Sequence, residues 1–307
     1  MSLLITGGTG FVGRRFLATI DETEVTAITR NTTSAQKTLG SLAQHFLPWP
    51  PDQESLSLPK DIQFKQVINL MGEPIAEGRW TAAKKKRIFD SRVLGTRKLV
   101  DGLLASGNPP EVFVSTSAIG IYGDSGEAIV DEDHAAAEDL FKSDLCAAWE
   151  AEAMRLADHG TRVVCLRLGI VLGDGGGALE KMMPIFKLGI GGKLGSGKQW
   201  MSWIHIDDLV NLINWSLQND QAAGPINATA PNPVRNSDFT KALAAAVKRP
   251  AFLPAPWFAL RAVFGEFANS LFYSQRVIPK AATELGFKFK FENIHPAISD
   301  VVQSANS

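Results

Sequence analysis

The sequence predicts an α/β protein: a doubly wound parallel sheet carrying a smaller, mostly helical C-terminal lobe. First, Leu3-Leu4-Ile5 is a short apolar run, glycines follow at 7, 10 and 13, and an amphipathic stretch covers 11–20, which reads as strand, tight turn and helix. Second, apolar runs at 24–29, 67–72, 112–117, 161–168 and 225–228 alternate with helical patterns at 80–106, 139–159 and 178–188. That alternation demands parallel pairing with right-handed crossovers. Third, 307 residues exceed the usual size of one domain, so a second, smaller unit is expected beside the first.

The opening glycines have a specific physical use. Gly7 lets the chain turn, Gly10 lets backbone N–H groups at Phe11 and Val12 approach a pyrophosphate, and Gly13 lets the helix pack on the strand. The helix N-terminus adds partial positive charge, so the stretch reads as a dinucleotide site. The strand over 24–29 then ends in Thr29, Arg30 and Asn31. An acidic residue about 20 residues past the glycines would bond the ribose hydroxyls of NAD, and none stands here. A hydroxyl, a guanidinium and an amide suit a ribose 2′-phosphate instead, which makes NADP the expected cofactor. The dinucleotide-binding unit is expected over 1–173 plus about 203–230, and a lobe for substrate or partner over about 174–202 and 231–307.

Residues 31–65 are irregular, with Pro48, Pro50, Pro51 and Pro59 marking turns around a short strand at 46–49. The strand over 67–72 delivers Leu70, Met71 and Gly72 to the carboxyl edge of the sheet, where backbone lines the cofactor. In the long helix that follows, Lys84 to Arg87 read as a solvated basic face. The strand over 112–117 ends in Ser115-Thr116-Ser117, with Tyr122-Gly123 close behind, and so places polar groups over the cofactor. The glycines of 173–177 read as a mobile connection, and the five within 189–197 as a substrate loop or a plain surface connection. A helix begins near 204–208 with Asp207 or Asp208 as its cap, and His205 reads as a structural histidine. Short helices at 236–248, 257–264 and 279–286 fill the C-terminal lobe.

With 31 basic and 32 acidic residues, bulk charge gives no case for nucleic acid or an anionic membrane, and no apolar run reaches membrane-spanning length. The two cysteines, Cys146 and Cys165, make neither a disulfide framework nor a metal-ligand pair, and no leader pattern precedes Ile5. A cytoplasmic location is expected.

The segments Thr6 to Gly13, Asn69-Leu70-Met71-Gly72, Ser115-Thr116-Ser117 with Tyr122-Gly123, Arg167 to Gly173, and Trp203 to Asp208 resemble the extended short-chain dehydrogenase/reductase superfamily, in family order over about 3–230. Ser91-Arg92-Val93, Trp149-Glu150-Ala151, Gly195 to Gln199 and Arg249-Pro250 are similar to its atypical "epimerase family" branch, which carries a C-terminal domain of unknown function. The resemblance implies a Rossmann-like core binding NADP(H), adds Arg92 and Val171 to the cofactor set, and suggests a nucleotide-sugar substrate and a homodimer. For a nucleotide diphosphate, Lys193, Lys198 and Arg235 are eligible basic groups.

The superfamily's proton-transfer pair is Tyr-x-x-x-Lys, in which the Lys lowers the Tyr pKa. This chain has two tyrosines, and the residues four past Tyr122 and Tyr273 are Gly126 and Val277. Cys146-Ala147-Ala148-Trp149-Glu150 occupies the place: a thiol for the phenol, a carboxylate for the ammonium. Two readings therefore stand. One is an NADP(H)-dependent oxidoreductase or epimerase that takes its proton donor from Ser117 or Tyr122. The other is a catalytically silent, NADP(H)-responsive binding or regulatory protein.

Overall fold

The computed structural model describes residues 2–20, 23–49, 55–59 and 62–305. Its main sheet is built from β1 (Ser2–Thr6), β2 (Glu24–Thr29), β3 (His45–Pro48), β4 (Gln66–Asn69), β5 (Val112–Ala118), β6 (Arg162–Leu168) and β7 (Gly224–Ala228). Every neighbouring pair is parallel, in the order β7-β6-β5-β4-β1-β2-β3. The chain winds outward from β1 to β3, returns, and winds the other way from β4, so the order reverses between β1 and β4. A ligand crevice opens at such a reversal, beyond the carboxyl ends of the strands. Pro50 and Pro51 lie outside the described residues.

The strands are apolar on both faces because both faces are covered. Leu3, Ile5, Val114, Val164 and Leu166 point into a core shared with Phe16 and Leu209. Their neighbours Leu4, Val67, Phe113, Val163 and Cys165 point the other way, onto Leu99 and Leu103. The helices that supply these faces are α1 (Phe11–Leu17), α2 (Thr32–Leu39), α4 (Gly95–Ala105), α5 (Phe141–Met154) and α7 (Ile206–Gln218), while α3 (Ala82–Phe89) and α6 (Gly177–Lys187) pack into neighbouring clusters.

Two helices differ from their expected extents. The first stops at Leu17, where the Thr19 N–H and hydroxyl both close onto the Phe16 carbonyl. The run expected as one helix over 80–106 is divided by a π-turn at Asp90–Leu94, which inserts a residue and rotates Arg92 out of the regular helical phase.

A second core gathers Trp203, Phe186 and Leu179 with Phe239, Leu243 and Phe291. It includes the helix Ile294–Ser304, which the sequence reading misses. Pro296 disguises it, although a first-turn proline loses no intrahelical hydrogen bond. Asp208 joins this core to the sheet: fully buried, it accepts from the backbone N–H groups of Lys290 (2.7 Å) and Phe291 (2.9 Å). The helix it was expected to cap is capped by His205, whose Nδ1 accepts from Asp207 N–H at 3.1 Å.

Asn69 ties the carboxyl edge together. Fully buried at the end of β4, its Oδ1 accepts from Thr6 (2.7 Å), and its Nδ2 donates to Thr96 (2.9 Å) and Ser115 (3.1 Å). One amide thereby fixes β1, β4, β5 and α4.

A Cβ on residue 13 would stand 2.5 Å from the Gly7 carbonyl oxygen and 2.7 Å from Gly8 Cα, both rigid backbone. Gly13→Ala is expected to destabilise the protein by about 2–4 kcal/mol in urea titration, through overpacking with no flexible side chain to yield.

Candidate functional site

The β1–α1 turn and the loop after β4 face each other across the strand-order reversal. Gly7 has φ of 68°, and a Cβ there would meet the Leu70 carbonyl oxygen at 2.6 Å, so only glycine permits both the turn and the approach. The Leu70 N–H donates to the Thr6 carbonyl (3.2 Å) and the Gly10 N–H to the Gly7 carbonyl (2.9 Å). Gly10 caps α1 without a side chain, so the N–H groups of Phe11, Val12 and Gly13 face the crevice as helix-end donors. The crevice fits a dinucleotide phosphate bridge, since a Cβ at either Gly7 or Gly13 would strike the backbone that forms it.

The Phe11 ring is covered by the loop expected to be mobile. Cβ atoms on Gly173, Gly176 and Gly177 would come within 2.7, 2.5 and 3.1 Å of that ring. Gly173 and Gly176 provide room for the ring, Gly177 also a φ of 73°, and the loop brings Val171, whose carbonyl lies against Gly177, to the start of α1. Within 189–197 a Cβ on Gly192 would overlap Leu253, Gly189, Gly195 and Gly197 take positive φ, and Ala255 N–H donates to the Lys193 carbonyl at 2.9 Å.

At the far end of the crevice Thr29, Arg30 and Asn31 leave β2 together. Asn31 Oδ1 accepts from Ser34 N–H (2.9 Å), capping α2, and Thr29 Oγ1 accepts from Asn31 N–H (3.3 Å). Arg30 is exposed, and no carboxylate among the described residues pairs with it. Met71 and Gly72 line the middle: a Cβ on Gly95 would touch Met71 Sδ at 2.7 Å, and one on Gly72 would touch the Arg92 guanidinium at 3.0 Å.

Ser117 and Tyr122 meet in one buried chain of hydrogen bonds. Ser117 donates to Glu150 Oε1 at 2.6 Å; Arg167 grips both Glu150 oxygens, at 2.9 and 2.8 Å, and donates a third bond to the Tyr122 hydroxyl at 2.8 Å. Tyr122 donates onward to Asn227 Oδ1 at 2.9 Å. Burial favours the neutral guanidinium, but the Glu150 carboxylate outweighs it and Arg167 stays firmly charged. Burial raises the Tyr122 pKa against the pull of Arg167 and Asn227. Both hydroxyls expected as proton donors are therefore engaged inside the protein: Tyr122, 6 % exposed, donates to Asn227, and Ser117, 3 % exposed, donates to Glu150.

Cys146 stands one turn before Glu150, within hydrogen-bonding reach of Ser117 and the Ala118 backbone, and burial pushes its thiol up to about 11. It is a neutral thiol at physiological pH. Arg235, eligible by sequence for a diphosphate, is paired to Glu127 at 2.6 Å and stacked on Trp200 at 4.1 Å. The Glu150–Arg167 pair has a legible trace in the sequence: an arginine interrupting the most apolar run requires a buried acid. Asn69 has no comparable trace.

The sequence profile of the NAD dependent epimerase/dehydratase family matches residues 3–228, and that of a domain of unknown function, DUF1731, matches 255–301. The chain is 38% identical over 316 residues to "Epimerase family protein SDR39U1 homolog, chloroplastic" of Arabidopsis thaliana, covering 99% of this chain and 87% of that protein. To the mouse epimerase family protein SDR39U1 it is 36% identical, covering 98% of this chain and all of that one. The crystal structure of human SDR39U1 (isoform 2) with NADPH superposes with a TM-score of 0.89 at 32% identity, over 99% of both chains. A nucleoside-diphosphate sugar epimerase from Corynebacterium glutamicum gives a TM-score of 0.75 at 30% identity, over 98% of this chain and 58% of that one.

Removing one partner of the buried ion pair strands the other. Glu150→Ala is expected to lose about 3–5 kcal/mol in urea titration, with much of it regained in Glu150→Leu/Arg167→Met. Because Cys146 holds its proton to about pH 11, folded stability should fall above pH 9, where thiols of the unfolded chain ionise and Cys146 does not. Cys146→Ala should remove its share of that fall, and Cys165, whose thiol burial also raises, should account for the rest.

Proposed function

The chain belongs to the NAD dependent epimerase/dehydratase family, and on that premise we propose that it binds NADP(H) across the β1–β4 crevice and exchanges a hydride with a small molecule under its C-terminal lobe. The observation that carries this reading is Arg30: exposed, free of a carboxylate partner among the described residues, and standing where an acidic residue would select NAD. The NADPH in the similar human protein supports it.

The cofactor supplies the hydride chemistry; the chain supplies position and polarity. Gly7, Gly10 and Gly13 admit the phosphate bridge to the start of α1, and Leu70, Met71 and Gly72 line its path. Arg30 grips the 2′-phosphate, with Thr29 and Asn31 shaping the end of β2 around it. Ser117, at the carboxyl end of β5, turns its hydroxyl from Glu150 to the reacting oxygen of the substrate. Tyr122 acts through Arg167, as a positioning residue. A nucleotide sugar is the substrate class suggested by the similar epimerase. Two buried, unbridged cysteines suit the reducing cytoplasm.

The closed Ser117–Glu150–Arg167–Tyr122–Asn227 network also favours a second reading, a binding protein that senses the redox state of NADP(H) without turnover. Turnover of any carbonyl or alcohol substrate at a steady rate excludes it.

Calorimetry tests the proposal. NADPH is expected to bind more tightly than NADH, and Arg30→Ala should weaken NADPH by about tenfold or more while leaving NADH unchanged, as loss of a charge-assisted contact predicts. Equal affinity for both would remove the choice of coenzyme, and no heat with either would remove the function.

A further inference from the structure

The fold shows how it treats a cation that it needs for itself. Arg167 is held by Glu150, and Lys84 by Glu73 at 2.8 Å. Arg162, without a carboxylate, donates to the carbonyls of Ser216, Leu217 and Ala222 at 2.7–3.0 Å. Two half-buried cations, Arg92 against the loop after β4 and Lys142 beside the end of β5, are treated otherwise.

Arg92, on the π-turn, makes one hydrogen bond, to the Glu73 carbonyl at 3.0 Å, and lies over the Trp149 ring at 5.3 Å. The Glu73 carboxylate is itself taken by Lys84 and Arg87. Lys142 has no ion pair or hydrogen bond among the described residues; its Nζ lies 4.3 Å from the centre of the Tyr273 ring, which the C-terminal lobe supplies. Asp124, whose field reaches Lys142, accepts instead from the backbone N–H groups of Ser274 and Gly126.

Both cations flank the same thiol. Lys142, Cys146 and Trp149 share one face of α5 at helical spacing, with the Arg92 guanidinium over the Trp149 ring, so one cation stands a turn before Cys146 and the other beside the residue almost a turn after it. A Cβ on Gly120 would sit 3.6 Å from Lys142 Cβ and 4.0 Å from Cys146 Sγ, which places the lysine beside the end of β5 that carries Ser117. Burial lowers Arg92, and it lowers Lys142 to about 8 against the opposing field of Asp124. Two cations drawn out of water without a counter-ion are unfavourable unless an anion arrives.

We propose that Arg92 and Lys142 hold a carboxylate or phosphate group of the substrate on either side of Cys146, so that the substrate is an anion charged close to its reacting carbon. The proposal rests on the reading of the chain as an NADP(H)-dependent protein, and it reassigns Arg92 from the cofactor to the substrate.

Calorimetric titration with oxalate and with inorganic phosphate, on the protein saturated with NADP⁺ and on the protein alone, tests it, with oxamide as neutral control. At least one anion is expected to bind and oxamide not. Lys142→Met and Arg92→Met should each weaken that binding about tenfold with NADP⁺ affinity unchanged, whereas Lys142→Arg and Arg92→Lys should retain most of it. At pH 8 binding should take up a fraction of a proton, about half at most, because the anion favours the charged lysine, and Lys142→Met should abolish the uptake. Absence of anion binding overturns the proposal, as does binding that survives both Met variants. So does an Arg92→Met variant that loses NADP⁺ affinity but keeps the anion, which would give that charge to the coenzyme phosphates. Failure of NADPH to bind sinks the coenzyme reading separately, since the anion titration on the protein alone still reports the subsite.

Discussion

The bidentate pair between Glu150 and Arg167 is the constraint on which the arrangement of the site depends. Arg167 is 7 % exposed on β6, and a guanidinium there is tolerable only while a carboxylate stands against it. Satisfying it fixes the α5 face toward the sheet, and with it Cys146, one turn earlier, and the Ser117 hydroxyl that donates to the same carboxylate. It also draws in Tyr122, so that one ion pair connects β5, β6, α5 and, through Asn227, β7.

A buried neutral thiol and a neutralised carboxylate carry no free charge, and the uncompensated charge of the site lies instead on Arg92 and Lys142, on the side of the crevice facing the C-terminal lobe. The cofactor crevice and the charged corner are thus built by different means. The first is backbone brought together by missing side chains; the second is side chains that find no carboxylate partner among the described residues.

Glycine has two uses in this molecule. At Gly7 it supplies a backbone conformation, whereas at Gly173, Gly176 and Gly192 it supplies only room, for the Phe11 ring or the Leu253 backbone. Composition reports both uses identically, so stretches that read as mobile connections are packed ones.

The sequence by itself determined the sheet, its parallel sense and the position of the phosphate crevice, because strand periodicity and the glycine spacing at 7, 10 and 13 are local signals dictated by backbone geometry. It also places Gly126 and Val277 four residues past its two tyrosines, which is a matter of identity at fixed spacing, and it holds Lys142, Cys146 and Glu150 in a plain four-residue repeat. Only the tertiary structure decided which charges are paired. That Arg167 meets Glu150 while Arg92 and Lys142 meet no carboxylate among the described residues depends on segments brought together from distant parts of the chain, and no local pattern encodes which cation is left so. The clamp at Asn69, the π-turn that aims Arg92 and the C-terminal helix behind Pro296 belong to the same class: each exists because packing satisfies a group whose own neighbours in sequence do not.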